Sequence, residues 1–304
     1  MKDPTFHTES IKAQKQNYGD FAFNENYLPI FKALKFMTSS SLLLALNGMM
    51  VVVFGFFLYS SKIVPSLLLA AFLVTFAVYG LNKVTDKSED SINRPETSSS
   101  SSGYFLTFSI VSMLIGFLIG LDQGVMAFMI LFTPVIIGVI YSVKISKSVP
   151  RLKEIVGIKS LVVAVSWALT GCFLPEVDFV MKFQASLIIF IYIFVRIFVG
   201  TILCDVLDSK GDLSSGIETI PTRLGRNKTK KLLIVMNSLG ILLLVYCQLM
   251  GIFVRFLPAL LFGVLYGYFA IWFFFRDNCK RFTGGLILDV EWLPIVIILC
   301  LLIK

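Results

Sequence analysis

The chain has 304 residues, 57% of them hydrophobic and 15% charged, with a mean hydropathy of +0.85 and a formal net charge of +8. A soluble domain carries about 25% charged residues and has no apolar runs of bilayer length, so this composition excludes an ordinary globular enzyme. The positive charges line the links between apolar runs and build no compact basic domain, which excludes a nucleic-acid partner.

Residues 1–27 form a polar tail with no apolar core behind its positive charges, so it does not read as a cleavable signal peptide. The single histidine, His7, lies in this tail and leaves no histidine relay for the membrane. Nine apolar spans follow, roughly at 41–60, 64–82, 104–121, 125–141, 156–175, 183–204, 231–252, 257–275 and 285–303. Each approaches the ~20 residues that a transmembrane helix needs. The expected architecture is all-α: one transmembrane domain over 28–304, a bundle of about nine helices with a cytoplasm-facing central cavity.

The tail and the links after the second, fourth, sixth and eighth spans hold 22 of the 27 Lys and Arg residues, counting Lys159 and Lys231 at the mouths of spans five and seven. The positive-inside rule then puts the N-terminus in the cytoplasm and the C-terminus outside, in an integral protein of the cell membrane. Topology alone accounts for the net charge, and a basic cytoplasmic face also attracts lipid headgroups or a phosphorylated substrate. The last span opens with Asp289 and Glu291, so a re-entrant course there stays open. Cysteines 172, 204, 247, 279 and 300 are scattered and argue against a disulfide framework or a soft-metal site.

Three oxygen-bearing side chains follow span two at intervals of four: Asn82, Asp86 and Asp90 in "NKVTDKSED". Residues four apart on a helix share a face, about 6 Å apart along the axis, so these form a stripe if span two continues as a helix. Beyond them, "TSSSSSG" at 97–103 reads as a flexible segment. A second acidic stretch, "CDVLDSKGDLSSGIETIPTRLG" at 204–225, follows span six and places Asp205, Asp208 and Asp212 at spacings of three and four. Clustered carboxylates repel one another unless a cation lies between them. Oxygen ligands suit Mg²⁺, which takes one or two carboxylates together with substrate phosphates. Two such stripes at the same membrane depth, both beside basic residues, would hold a diphosphate through Mg²⁺. Arg196 lies within span six, where a charge is costly and faces a cavity or a partner. A substrate anion, an acid such as Asp205, or a purely structural pairing would satisfy it.

The pattern Asn82-x-x-x-Asp86-x-x-x-Asp90, with "INRP" at 92–95 beyond it, resembles the first signature of the UbiA superfamily of intramembrane prenyltransferases. Asp208, Asp212, Gly216 and Thr219, with Asp205 as an additional acid, resemble the second. Tyr141, Ser142, Arg151, Leu152 and Lys153 are similar to a Tyr-Ser and Arg-Leu-Lys pairing of the same relatives. The chain departs from the family after Pro95, where "ETSSSSSG" replaces a basic stretch, so the contacts of that stretch do not carry over. The resemblance implies Asp86, Asp90, Asp208 and Asp212 as Mg²⁺ ligands and Asn82 as a group that orients the diphosphate. It also implies Arg94, Tyr141, Arg151 and Lys153 as substrate contacts, with Asp205 a further ligand or the acceptor's base.

The implied reaction is transfer of a prenyl group from a polyprenyl diphosphate to a lipophilic, aromatic-type acceptor through an allylic cation, with release of pyrophosphate among membrane lipids. A prenylated glycerol phosphate, as in a digeranylgeranylglyceryl phosphate synthase, is the alternative acceptor. A cation or solute transporter is the rival from another class. Against it, the acids sit at the membrane boundary, whereas transporter sites lie near the midplane, often on broken helices in internal repeats.

Overall fold

The computed structural model describes residues 28–85, 102–142, 155–176, 183–214, 216–276 and 279–303. Two units separate at Met37, and all that follows concerns the second, Thr38–Lys304, except for the start of helix α1 (Leu28–Ser39). The long helices are α2 (Leu42–Tyr59), α3 (Pro65–Thr85), α4 (Ser102–Asp122), α5 (Val125–Ser142), α6 (Ile158–Phe173), α7 (Phe183–Ser214), α9 (Arg226–Met250) and α10 (Leu257–Phe274). Shorter ones are α8 (Ile220–Leu224), α11 (Arg281–Asp289) and α12 (Trp292–Ile303). No strand occurs among the described residues. Eight helical stretches are long and apolar enough to cross a membrane, and a shorter apolar stretch, Val125–Gly138, occupies the position of the fourth expected span.

Neighbours in sequence are neighbours in space. α2 packs on α3, α3 on α4, α4 on α5, α5 on α6, α6 on α7, α7 on α9 and α9 on α10. α12 packs on both α10 and α2, which closes the circuit. The outer face of α4 is apolar and exposed, with Tyr104, Phe108, Leu114 and Leu118 more than half uncovered, as a lipid-facing helix requires. The interior is apolar around Phe54, Tyr192 and Trp292, whose rings stack or meet edge to face with centroids 5.0–6.3 Å apart.

α7 organises the rest. Its 32 residues contain no proline and extend about 48 Å at 1.5 Å per residue, well beyond a hydrocarbon layer of ~30 Å. Its apolar part, 183–204, is long enough to cross, and its last turns carry the acids.

Arg196 interrupts that apolar part. Its side chain is buried, and it donates from Nε to Glu291 Oε1 at 2.7 Å and from Nη1 to Asn237 Oδ1 at 2.7 Å; Nη2 also bonds Glu291. Asn237 in turn donates to the Val264 carbonyl on α10 at 3.0 Å. The ninth expected span is broken where Glu291 stands: α11 ends at Asp289 and α12 begins at Trp292. Asn47 of α2 meets the exposed backbone of the break. Its Oδ1 accepts the Trp292 N–H at 3.1 Å and its Nδ2 donates to the Leu288 carbonyl at 3.4 Å. Backbone groups freed inside a bilayer need such partners, since lipid offers none. Gly267 completes the arrangement, because a Cβ there would overlap Arg196 Nη1 and Asn237 Oδ1.

Removing one member of a buried ion pair leaves an uncompensated charge, a loss of about 3–5 kcal/mol. Glu291→Leu therefore lowers unfolding stability in detergent by about that amount, whereas Arg196→Met with Glu291→Leu recovers most of it. Denaturant titration of the double-mutant cycle measures both.

Candidate active site

The acids of α7 lie at positions i, i+3 and i+7, so Asp205, Asp208 and Asp212 share one face of the helix. The opposite side of these turns is apolar. Ile202, Leu203, Ile220, Leu233, Ile271 and Leu288 form a cluster behind them. The carboxylates are thus pressed toward one side, where the first turn of α6 and the start of α11 meet them.

α6 begins after Gly157, which holds φ +79, and presents Lys159 and Ser160 in its first turn. Lys159 Nζ lies 2.9 Å from Asp205 Oδ1 and 3.9 Å from Asp212 Oδ2. Ser160 Oγ donates to Asp205 Oδ2 at 3.0 Å. Both oxygens of Asp205 are therefore engaged by adjacent residues of α6. From α11, Arg281 forms an ion pair with Asp208 and donates from Nη1 to the Leu207 carbonyl at 3.1 Å. The Asp205 and Asp212 side chains are each 3% exposed, while Lys159 is 30% exposed. The carboxylates are enclosed and the ammonium has a route outward.

The helix that precedes the first acidic stretch is tied to α6. Trp167 of α6 donates to the Tyr79 hydroxyl of α3 at 3.0 Å, with the two rings edge to face. α3 runs on from Tyr79 through Asn82 and Lys83, toward the end at which α6 starts. Lys83 bonds the Ser39 carbonyl and lies 5.8 Å from the Phe105 ring centroid. Asp86, Asp90, Arg94, Arg151 and Lys153 lie outside the described residues, and of Tyr141 only its place in α5 is described.

Arg196 is not part of this group. It stands nine residues before Asp205, two and a half turns at about 100° per residue, so it faces the other side of α7. Its partners are Glu291 and Asn237, and the pairing with Asp205 considered from the sequence is not made. Among the described residues, Lys159 and Arg281 are basic residues that meet the acids. Each stands at a loop–helix junction and reads in sequence as one more topology charge, with no spacing to set it apart.

The profile of the UbiA prenyltransferase family matches residues 41–282. The chain belongs to the UbiA prenyltransferase family. No curated protein sequence matches it. Among solved structures, a UbiA homologue from Aeropyrum pernix K1 without ligand shares 13% identity with a TM-score of 0.66, over 84% of this chain and 97% of that one. A UbiA homologue from Archaeoglobus fulgidus bound to GPP and Mg²⁺ shares 16% identity with a TM-score of 0.62, over 86% and 99%. A digeranylgeranylglyceryl phosphate synthase structure shares 15% identity with a TM-score of 0.55, over 86% and 98%. At these identities the likeness is one of fold.

As a UbiA family member the chain shows why its second signature ends in Gly and Thr. Ile217 N–H bonds the Asp212 carbonyl at 2.8 Å and Gly216 N–H bonds the Leu213 carbonyl at 3.2 Å, the paired closure of a helix whose next residue is left-handed. Gly216 holds φ +72, where a Cβ is strained. Thr219 then caps α8 reciprocally with Thr222, whose hydroxyl accepts the Thr219 N–H at 2.8 Å. The chain turns back immediately after Asp212, buries Ile217 and packs Ile220 into the apolar cluster.

The donor set suits a hard divalent cation: it consists of carboxylates. Among the described residues no three ligating side chains converge tightly enough to enclose an ion.

Gly216→Val forces a β-branched residue into the left-handed region and costs about 1–3 kcal/mol, while Gly216→Asn costs a fraction of that. Thermal melting in detergent separates the two.

Proposed function

We propose that this protein transfers a prenyl group from a prenyl diphosphate to a lipophilic acceptor, with Mg²⁺ as cofactor, at the end of the bundle where α7 carries its acids. The observation that carries this reading is the shared face of Asp205, Asp208 and Asp212, backed by an apolar cluster and met by Lys159 and Arg281 from two other helices. Asp208 and Asp212 are the α7 ligands of the cation, with Asp86 and Asp90 as their counterparts from the segment after α3. Asn82, in the last turn of α3, orients the diphosphate. Arg94, Tyr141, Arg151 and Lys153 contribute further substrate contacts. Asp205, engaged by Lys159 and Ser160 on its two oxygens, serves beside them as a further ligand or as the acceptor's base. The positive-inside pattern sets this end in the cytoplasm.

Mg²⁺ bound here would offset the charge that develops on the departing diphosphate. The chain's own cations do the same from fixed positions. Arg281, held to the Leu207 carbonyl, and Lys159 supply charge-assisted hydrogen bonds to phosphate oxygens. The bond between the allylic carbon and the diphosphate oxygen breaks with its electron pair on oxygen. The carbon then bonds to the acceptor, which gives up a proton. The apolar helices beneath the acids exclude water that would otherwise capture the allylic cation.

The test is release of pyrophosphate from labelled prenyl diphosphates by the purified protein in detergent, with and without Mg²⁺. Aromatic acceptors and prenylated glycerol phosphates form its two arms. Asp208→Asn and Asp212→Asn each lower kcat/KM by at least about a hundredfold. Undiminished turnover in both variants, or turnover with no divalent cation present, overturns the proposal.

A further inference from the structure

Among the described residues, Lys159 and Arg281 stand against the acids of the α7 face, and they are held differently. Arg281 is fixed twice, to Asp208 and to the Leu207 carbonyl. Its guanidinium is planar and permanently charged, and its bond to backbone persists whatever the carboxylate does. Lys159 reaches two carboxylates one above the other, Asp205 at 2.9 Å and Asp212 at 3.9 Å, and its side chain is 30% exposed. An ammonium on a flexible four-carbon stem can move by a few bond rotations, which a guanidinium in a fork cannot. The neighbouring Ser160 holds the second oxygen of Asp205, so that carboxylate stays in place when the lysine leaves.

We propose that Lys159 is an exchangeable internal counter-ion. In the metal-free protein it holds Asp205 and Asp212 side by side, two enclosed carboxylates that would otherwise repel. When a divalent cation enters, Lys159 withdraws from Asp212 toward its exposed side and donates to the diphosphate. Asp212 is thereby stored as a ready ligand. This rests on the function proposed above, because it takes Asp212 as a cation ligand.

The inference concerns the metal-free state, so its test needs no turnover. Wild type, Lys159→Met and Lys159→Arg are purified without divalent cations, and Mn²⁺ is added as the probe. Loss of the free-Mn²⁺ electron paramagnetic resonance signal reports affinity, and thermal melting in detergent reports stability. Lys159→Met melts below wild type without metal, because two enclosed acids lose their shared cation. It binds Mn²⁺ on the order of tenfold more tightly, because Lys159 no longer competes for Asp212. Lys159→Arg melts like wild type and binds Mn²⁺ severalfold more weakly, since its fork keeps both acids. That charge-conserving variant decides the matter if Lys159→Met does not fold. Equal Mn²⁺ affinity in wild type and Lys159→Arg, or in wild type and a folded Lys159→Met, overturns the exchange and leaves the proposed function standing. Absence of Mn²⁺ binding in all three proteins overturns the proposed function, and the exchange with it.

Discussion

α7 has to be one unbroken helix, and the structure follows from what that helix carries. Half-way along it is Arg196, in hydrocarbon, and at its end are three acids on the opposite side. A charge in the bilayer interior is tolerated only beside a partner, and Glu291 and Asn237 are those partners. Glu291 can reach Arg196 because the last span breaks there, and the break holds because Asn47 takes up its loose N–H and carbonyl. The half-helix on the far side of the break, α11, brings Arg281 to Asp208. The contacts that make Arg196 affordable in lipid also tie the last span to α7 beside the acid end of the same helix.

Lipid tails are as apolar as leucine, so apolar area alone gives these helices no reason to choose one arrangement over another. Close packing and polar ties decide it. Gly267 lets the Arg196–Asn237 pair lie on the α10 backbone, and the Tyr192 hydroxyl donates to the Leu260 carbonyl at 2.8 Å one turn below. The Tyr79–Trp167 bond does the same between α3 and α6. Each tie joins helices that the chain order alone would leave free to rotate about their axes.

Much of this was legible in the sequence. Apolar runs of bilayer length mark the spans, and the spacing of Asp205, Asp208 and Asp212 marks a helical face, because both are local properties of consecutive residues. The side of α7 that Arg196 faces was also local, since nine residues at about 100° each make half a turn beyond two. Its partner was not. Glu291 stands far along the chain at the start of what reads as an ordinary last span, and no spacing connects the two. Lys159 and Arg281 escaped for a similar reason. A basic residue at the mouth of a helix is expected from topology, and only the fold shows which of them turns inward to a carboxylate. Arg196, singled out as the charge in the wrong place, pairs with Glu291 and Asn237, while Lys159 and Arg281 meet the acids.

At the end of the acidic stretch of α7, one residue serves both the acid face and the backbone turn. Asp212 contributes its side chain to the acid face and its carbonyl to the closure of α7, accepting the Ile217 N–H. Gly216 permits the reversal and Thr219 starts the next helix at once, so the chain returns over the apolar side of α7. A longer excursion after Asp212 would leave Ile217 and Ile220 without cover and expose the back of the acid face to water. Water there would raise the local dielectric and weaken every charge interaction on the front. The spacing from Asp212 to Gly216 to Thr219 is therefore set by the need to dry one side of a helix whose other side is charged.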